Sequence, residues 1–297
     1  MLEIKLIVCP VDFSEFSIRA YHYALSLAEH YRAKLVAQHI VELSRYPYAD
    51  YAACEGNYAE FCRALAEGGK EELREFVKKH THDEIRPELA VGEGAAADGI
   101  LSFAQARKAD LIVMGTHGRR GFDRLVLGSV TDRVMRKSPC PVLAICNPRG
   151  DSDAVGEERH HVHHLDRILL CTDFSENSER ALNYAISATE EYDAELTVLH
   201  VLEDVPSSVK KADEAVAMAT QQLDKMIQRE RSKRLKIKTA VRIGKPYQEI
   251  IQLAVEARIN MIAMGARGRG ALDVAVFGST TYRVIQLGPC PVLAVHA

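Results

Sequence analysis

The sequence predicts an α/β protein with two tandem doubly wound (Rossmann-like) domains, each built on a five-stranded parallel sheet. Three observations lead to this fold class. Short apolar segments alternate with longer segments of helical periodicity, which is the pattern of parallel strands joined by helices. The apolar segments lack polar alternation, which indicates a sheet covered by helices on both faces. The whole pattern of the first half then returns in the second half.

Length and composition agree with two soluble domains. A chain of 297 residues accommodates two domains of ordinary size. It is 47% apolar and 27% charged with a formal net charge of −3, so its charge predicts no general affinity for nucleic acid. No apolar run approaches the roughly 20 residues of a membrane span. The chain enters a strand-like segment at once, so we expect no signal peptide and a cytoplasmic location.

The first half predicts five strands separated by helices. The strands are expected at residues 4–9, 34–41, 85–91, 110–114 and 139–146. Ser14 is a candidate N-cap for the first helix, since apolar residues follow it at helical spacing. A second helix is expected over 58–77, where Gly68 and Gly69 should weaken its middle, and a third over 95–107. A fourth helix is expected to begin at Gly128 and Ser129.

The second half repeats these elements. Asp173 matches Asp12 at an offset of 161 residues, each before Phe-Ser, and His200 matches His39 at the same offset. A long charged helix is expected over about 208–234. We set the first domain at 1–147, a polar linker at 148–164 and the second domain at 165–297. The linker holds four histidines, but without a fixed ligand geometry we expect a solvated linker rather than a metal site.

The cysteines indicate a reducing compartment. Cys9, Cys140, Cys171 and Cys290 lie in apolar, strand-like runs and are expected to be buried thiols. Cys54 and Cys62 lie in or beside a helix and are expected to be more exposed, which leaves a redox role open as the minor alternative.

A glycine pattern occurs between a strand and a helix in each half. Gly115 and Gly118 are followed, after nine residues, by Gly128 and Ser129. The second copy begins 150 positions later, and its fixed positions are Gly265, Gly268, Gly278 and Ser279. The pattern is neither a P-loop, because no Gly-Lys-Ser/Thr follows, nor a G-x-G-x-x-G fingerprint.

Such a loop is suited to binding phosphate. Glycine lets the backbone approach a ligand closely, and a helix N-terminus offers unpaired N–H groups with a partial positive charge. Ser129 and Ser279 can add hydroxyl donors, while Arg119, Arg120, Arg124, Arg267 and Arg269 can screen phosphate charge. The alternative is that glycine and serine only shape the turn and cap the helix.

The motif G-x2-G-x9-G-[ST], matched at every fixed position in both halves, resembles that of ATP-binding universal stress proteins. The resemblance covers nearly the whole chain except the linker. It implies the strand order 3-2-1-4-5, with Asp12 beside Gly115 at the switch between strands one and four. It also implies ATP or AMP as ligand, with Mg²⁺ accompanying the phosphates, and an internal pseudo-dimer paired through residues 141–146 and 291–296.

The resemblance also implies roles for further residues. Asp12 and Asp173 would bind ribose hydroxyls, with helix capping as the alternative. Val41 and Leu202 would lie where the family holds adenine. Met114 and Met264 would lie near the base or fill the core. Further phosphate donors are expected from the backbone and hydroxyl groups of Val130, Thr131, Thr280 and Thr281.

One difference between the halves follows strand three. The turn reads Gly92-Glu-Gly-Ala in the first copy and Gly244-Lys-Pro-Tyr in the second, which aligns Glu93 with Lys245. On that alignment the second site is expected to bind triphosphate more tightly.

Three functions remain open at the level of sequence. The leading one is an ATP- or AMP-binding regulatory protein of the stress response, with one nucleotide in each half. A slow ATPase or a phosphoryl or nucleotidyl transferase is the second, although the sequence shows no committed base and no second metal carboxylate. An interaction module that binds no nucleotide is the third. A flavodoxin-type carrier is more distant, because no Ser/Thr-rich phosphate loop follows strand one.

Overall fold

The computed structural model describes residues 3–43, 58–81, 85–117, 127–146, 165–203, 209–228, 235–268 and 277–296. The chain divides into two compact units, Glu3–Ile145 and a second unit that begins at Cys146. Gly118, Arg119, Arg120, Arg124, Arg269, Cys54 and the linker histidines lie outside the described residues.

The first unit alternates strands and helices as predicted. Its described elements are β1 Leu6–Pro10, α1 Glu15–Tyr31, β2 Lys34–Val41, α2 Tyr58–His80, β3 Glu88–Glu93, α3 Ala96–Arg107, β4 Leu111–Gly115, α4 Ser129–Lys137 and β5 Val142–Ile145. The sheet order is β3-β2-β1-β4-β5, and the neighbouring strands are parallel. This confirms the order 3-2-1-4-5.

The second unit has the same topology. Its described elements are β6 Arg167–Cys171, α5 Glu176–Tyr192, β7 Glu195–Leu202, α6 Val209–Ile227, β8 Lys236–Ile243, α7 Pro246–Glu256, β9 Met261–Gly265, α8 Ser279–Leu287 and β10 Val292–Val295. The order β8-β7-β6-β9-β10 repeats that of the first unit, and the neighbouring strands are again parallel.

The central strands form the core of each unit. Every residue of β4 and of β9 is buried. Because successive side chains point to opposite faces of a sheet, burial of all of them means that both faces are covered. The absence of polar alternation in the sequence is therefore explained.

Prolines shorten two strands relative to the prediction. The pairing of β3 with β2 begins at Glu88, directly after Pro87, rather than at residue 85. Likewise β5 begins at Val142, although the carbonyl of Pro141 still accepts a 3.0 Å bond from Ile112 N–H. Proline has no N–H to give to a ladder, so each strand starts only after it.

The glycine pair in α2 does not interrupt the helix. The α2 helix is continuous over Tyr58–His80, so the expected weakening is not seen in its geometry. A Cβ at Gly69 would lie 2.8 Å from Cγ2 of Val41 and 3.4 Å from Cδ2 of His39, whereas one at Gly68 would meet nothing within 4 Å. Gly69 therefore lets α2 pack closely against β2, and Gly68 has no such role.

The predicted buried thiols are confirmed, and they lead to a labelling prediction. Cys9, Cys140, Cys171 and Cys290 are buried, and burial raises the pKa of Cys140 to about 11. Because the thiolate is the reactive form, an uncharged thiol reagent should modify half-buried Cys62 long before these four. Peptide mapping after timed labelling of the native protein measures this order. Equal labelling rates in native and urea-unfolded protein would contradict the burial.

Candidate functional site

The candidate site lies at the switch point of each unit, where the strand order changes direction. Ile7 and Val8 of β1 pair with Leu111 and Ile112 of β4, so the carboxyl ends of these strands lie side by side. In the second unit Ile168 and Cys171 of β6 pair with Met261 and Met264 of β9. Ligands of open parallel sheets bind at such switch points, and both glycine patterns begin there.

An Asp-Phe-Ser turn follows the first strand of each unit. Oδ1 of Asp12 accepts hydrogen bonds from the backbone N–H of Ser14 at 3.1 Å and from its hydroxyl at 2.6 Å. Ser14 in turn caps α1 by accepting a bond from Ser17 N–H at 3.3 Å. The predicted N-cap is therefore confirmed, and capping by Asp12 itself is excluded because Ser14 occupies the cap.

The second unit repeats this turn. Oδ1 of Asp173 accepts a 3.1 Å bond from Ser175 N–H, and Ser175 caps α5. In both units the residue after the aspartate has positive φ: +64° at Phe13 and +61° at Phe174. A non-glycine residue in this region costs on the order of 1–3 kcal/mol, so the surrounding structure must hold the turn.

The first glycine of each pattern lets the first helix approach the end of the fourth strand. A Cβ at Gly115 would lie 2.8 Å from Cβ of Phe16 and 2.9 Å from its backbone carbon and oxygen. A Cβ at Gly265 would lie 2.8 Å from Cβ of Asn177 and 3.0 Å from the N of Ser178. Glycine is required at these positions because backbone and Cβ atoms occupy the space.

The third glycine of each pattern caps the fourth helix. Gly128 precedes α4 and Gly278 precedes α8, as predicted. The N–H of Gly128 donates to Thr116 O at 2.9 Å, and that of Gly278 donates to Ala266 O at 3.0 Å. These bonds fold the loop so that the helix begins beside the end of the fourth strand. The following serines, Ser129 and Ser279, are exposed at the first helical position.

The threonines of these helices have a structural role that the sequence analysis did not assign. Oγ1 of Thr131 donates to Gly115 O at 2.9 Å, and Oγ1 of Thr281 donates to Gly265 O at 2.9 Å. Both residues are buried. Hydroxyl donation to phosphate by Thr131 and Thr281 is therefore wrong, because each hydroxyl proton is bonded to a carbonyl of the fourth strand, whereas donation by the Thr280 hydroxyl stays a prediction. The first-turn N–H groups, including those of half-buried Val130 and Thr280, remain the donors that such a helix offers.

The second glycine lies beside the aspartate in the second unit. A Cβ at Gly268 would lie 2.8 Å from Oδ2 of Asp173 and 3.8 Å from its carboxyl carbon. The absence of a side chain here lets the loop lie close to the carboxylate. Asp173 and the glycine loop, which are far apart in sequence, are thus brought together.

Three of the four residues assigned to the base side are buried, and Leu202 is half-buried. Met114 and Met264 are buried within β4 and β9, which favours the core alternative. The carbonyls of Val41 and Leu202, at the ends of β2 and β7, accept 3.0 Å bonds from the N–H groups of Gly94 and Gly244.

Those two bonds correct the alignment of the turns after the third strands. Since Gly94 and Gly244 make the same bond and both have positive φ, they are the equivalent residues. Glu93 then corresponds to Ile243, which pairs with Leu202 as Glu93 pairs with Val41. Lys245 corresponds instead to Ala95, since each precedes its helix as N-cap. The expected charge reversal between Glu93 and Lys245 is therefore wrong.

The loops after the fourth strands differ between the halves. In the first unit Thr116 and His117 are buried, 3.0 Å apart between Oγ1 and Nδ1, and the His117 ring lies 5.0 Å from that of Phe16. In the second unit Arg267 replaces the histidine, and its carbonyl accepts a 3.3 Å bond from Asn177 Nδ2. The two sites therefore share the same backbone arrangement, but different side chains line the loop after the fourth strand.

Two histidines at the site were noted in the sequence only as markers of the repeat. Nδ1 of His39 lies 2.8 Å from Val11 O, and Nδ1 of His200 lies 2.7 Å from Thr172 O. Their rings lie 4.6 and 4.5 Å from those of Phe13 and Phe174. Their shared offset with the aspartates was the signal that could have assigned them to the site.

Fold and site together define a tandem doubly wound α/β protein with a glycine-rich crossover at the switch point of each half. The model of the universal stress protein family matches residues 3–145 and again residues 164–296. Because the two matches cover most of the sequence, the chain belongs to the universal stress protein family.

Individual relatives agree with this assignment. A universal stress protein of Methanocaldococcus jannaschii is 37% identical over 145 residues, which are 49% of this chain and 84% of that protein. One of Thermus aquaticus is 30% identical over 137 residues, 43% of this chain and 97% of that protein. Each relative thus corresponds to about half of the chain.

A solved structure covers both halves. The crystal structure of a universal stress protein from Archaeoglobus fulgidus matches with a TM-score of 0.73 and covers 99% of this chain and 97% of that chain. At 23% sequence identity the likeness supports the tandem fold alone.

No described helix is both long and apolar enough to cross a membrane. Among the same residues, no group of three or more His, Cys, Asp or Glu side chains is arranged to hold a metal ion.

Proposed function

We propose that each half of the chain binds one adenine nucleotide, ATP or AMP, and that the protein is a nucleotide-dependent regulator of the stress response. The observation that carries the proposal is the repeated arrangement at the switch point. In both halves a strand-end aspartate, a close-packed glycine and a glycine-capped helix N-terminus occur at equivalent positions. Membership of the universal stress protein family supports the same function.

The phosphates would lie at the first turns of α4 and α8. Gly128 and Gly278 begin these helices without a side chain, and Ser129 and Ser279 are exposed beside them. Unpaired first-turn N–H groups and the helix dipole favour an anion here. Gly118 and the loop arginines would complete the cradle.

The ribose would lie against the aspartates. In the second unit, Oδ1 of Asp173 is held by Ser175 N–H, while Oδ2 faces the space that a Cβ at Gly268 would fill. A carboxylate accepts hydrogen bonds, so this oxygen suits a sugar hydroxyl. Asp12 would have the same role in the first unit, because its turn with Ser14 has the same geometry.

An Mg²⁺ ion that accompanies the nucleotide would be held chiefly by the phosphates and water, as is usual for this ion. The base would lie near Val41 and Leu202, at the ends of β2 and β7.

The first experiment is to measure what the purified protein carries. We expect denatured protein to release adenine nucleotide, with ATP or AMP approaching one equivalent for each half. The stripped protein should rebind ATP in calorimetric titration, and GTP serves as the control for the base. If no nucleotide is released and ATP gives no heat at high concentration, the proposal is wrong. Release of ADP together with steady phosphate production would instead indicate an ATPase.

A further inference from the structure

The residue before each aspartate is held at both of its backbone groups by consecutive residues of the second strand. Val11 N–H donates to Gln38 O at 2.7 Å, and Val11 O accepts from Nδ1 of His39 at 2.8 Å. Because a carbonyl can only accept, the proton of this bond is on Nδ1. The peptide that enters Asp12 is therefore fixed on two sides.

The second unit has the same arrangement. Thr172 N–H donates to Leu199 O at 2.9 Å, and Thr172 O accepts from Nδ1 of His200 at 2.7 Å. This recurrence in the two halves means that the arrangement is not an accident of one turn.

The same imidazoles also contact the residue after each aspartate. The ring of Phe13 lies 4.6 Å from that of His39, and the ring of Phe174 lies 4.5 Å from that of His200, both pairs tilted by 41°. Phe13 and Phe174 are the residues with positive φ, so the ring contact stabilises a backbone conformation that is otherwise unfavourable. One histidine thus fixes the residues on both sides of the aspartate.

In the first unit the histidine is covered by the neighbouring helix. Cδ2 of His39 would lie 3.4 Å from a Cβ at Gly69 of α2. One side of the half-buried imidazole therefore lies against α2, and its proposed effect on a ligand passes through Asp12.

We propose that His39 and His200 are positioning residues that hold Asp12 and Asp173 for recognition of ribose hydroxyls. This inference rests on the proposed nucleotide-binding function. A carboxylate held in advance in the correct orientation binds a hydroxyl without an ordering cost, so the histidines set the preference for ribonucleotides over deoxyribonucleotides.

The two turns differ in the further bonds that hold them. In the second unit Oγ1 of Thr172 accepts a 3.0 Å bond from Phe174 N–H and lies 3.0 Å from Oγ of Ser178. Val11 occupies the equivalent position in the first unit and has no hydroxyl. Each turn therefore keeps one further restraint when its histidine is replaced: the Thr172 hydroxyl in the second unit, and the 2.6 Å bond from the Ser14 hydroxyl to Oδ1 of Asp12 in the first.

The test compares ATP with 2′-deoxy-ATP and 3′-deoxy-ATP on the full-length chain. His39→Phe with His200→Phe keeps an aromatic ring but removes the bond to the carbonyl. The relevant deoxynucleotide is the one that lacks the hydroxyl bound by the aspartate. We expect the preference for ATP over this deoxynucleotide to fall by about tenfold or more, which is the scale of one hydrogen bond to a charged group. Affinity for that deoxynucleotide should change little, because the sugar contact is already absent.

Conservative variants separate positioning from folding. His39→Asn with His200→Asn places an amide nitrogen near the Nδ1 position and should restore much of the ribose preference. If the Phe variants do not fold, the ribose preference is measured on the Asn variants, which should keep much of it. His22→Phe is the matched control, since His22 is an exposed residue of α1, and it should leave the preference unchanged. Tested singly, His39→Phe and His200→Phe should each lower the preference of their own half.

The possible outcomes distinguish nucleotide binding, ribose recognition by the aspartates and positioning by the histidines. If the wild-type protein binds no ATP, the proposed function fails and the inference with it. If it binds ATP and both deoxynucleotides equally, nucleotide binding stands and ribose recognition by the aspartates is wrong. If the Phe variants lose affinity for all three nucleotides by the same factor, the histidines are structural and not positioning residues.

Discussion

Replacing both Ser129 and Ser279 with Asp is expected to weaken binding of ATP strongly while leaving the fold intact. Each serine is exposed at the first position of its helix, where the phosphates are proposed to lie. A carboxylate about 4 Å from a phosphate charge near a protein surface costs about 4 kcal/mol at an effective dielectric constant of about 20. Even after screening by Mg²⁺, the affinity should fall by well over tenfold in each half.

The same substitution should not destabilise the protein. A negative charge in the first turn of a helix interacts favourably with the helix dipole, by about 0.3–1 kcal/mol. The α8 helix has no acidic residue in its first turn, so Ser279→Asp should raise its stability slightly. Thermal unfolding without nucleotide measures this, and a lower melting temperature would contradict it.

Two controls separate charge from the loss of the hydroxyl. Ser129→Ala with Ser279→Ala removes only one hydrogen bond for each phosphate and should weaken ATP several-fold. Ser102→Asp adds the same charge to an exposed position of α3 and should have no effect. Adenosine, which lacks phosphates, should bind the Asp variant as it binds the wild type. Equal losses of ATP and adenosine would show that the substitution disturbs the site as a whole.

Local signals in the sequence predicted local structure well. Ser14 as N-cap depends on a bond to a residue three positions on, which its side-chain type indicates directly, and Gly128 and Gly278 are followed at once by the helices. The places where β3 and β5 begin were missed because we followed the apolar runs through Pro87 and Pro141. Because proline has no N–H group for a sheet ladder, Pro87 and Pro141 themselves indicate where the two strands begin.

Strand order and residue equivalence could not be obtained in this way. The order 3-2-1-4-5 depends on which strands pair across long crossovers, and only the family resemblance supplied it. Likewise, Glu93 was aligned with Lys245 because a glycine precedes each in sequence. The equivalence is set by bonds from Gly94 to Val41 and from Gly244 to Leu202, which no local pattern reveals.

The candidate site was predicted by residue type but not by role. The proximity of Asp173 and Gly268, which lie in two different crossovers, was not among the predictions. The hydroxyls of Thr131 and Thr281 bond the fourth strand, and a sequence cannot show which acceptor a buried hydroxyl finds. His39 and His200 were missed because their effect on the aspartate passes through a backbone carbonyl.

Gly115→Ala should strongly disturb the first unit by forcing α1 away from β4. The added Cβ would lie 2.9 Å from the backbone carbon and oxygen of Phe16, and a backbone cannot yield as a flexible side chain does. Overpacking of this kind costs about 1–3 kcal/mol, which should appear as a lower denaturant midpoint in urea unfolding. Since Phe16 follows the turn of Asp12, ATP affinity of the first half should fall as well.

Gly68→Ala is the matched control, because the same methyl group there meets nothing within 4 Å. Alanine is the better helix former by about 1 kcal/mol, so this substitution should stabilise α2 and leave ATP affinity unchanged. Opposite signs for the two substitutions would show that close approach at the switch point, and not a general preference for glycine, requires Gly115. If both variants gain stability, α1 can shift at little cost, and the steric argument for the first glycine of the motif is wrong.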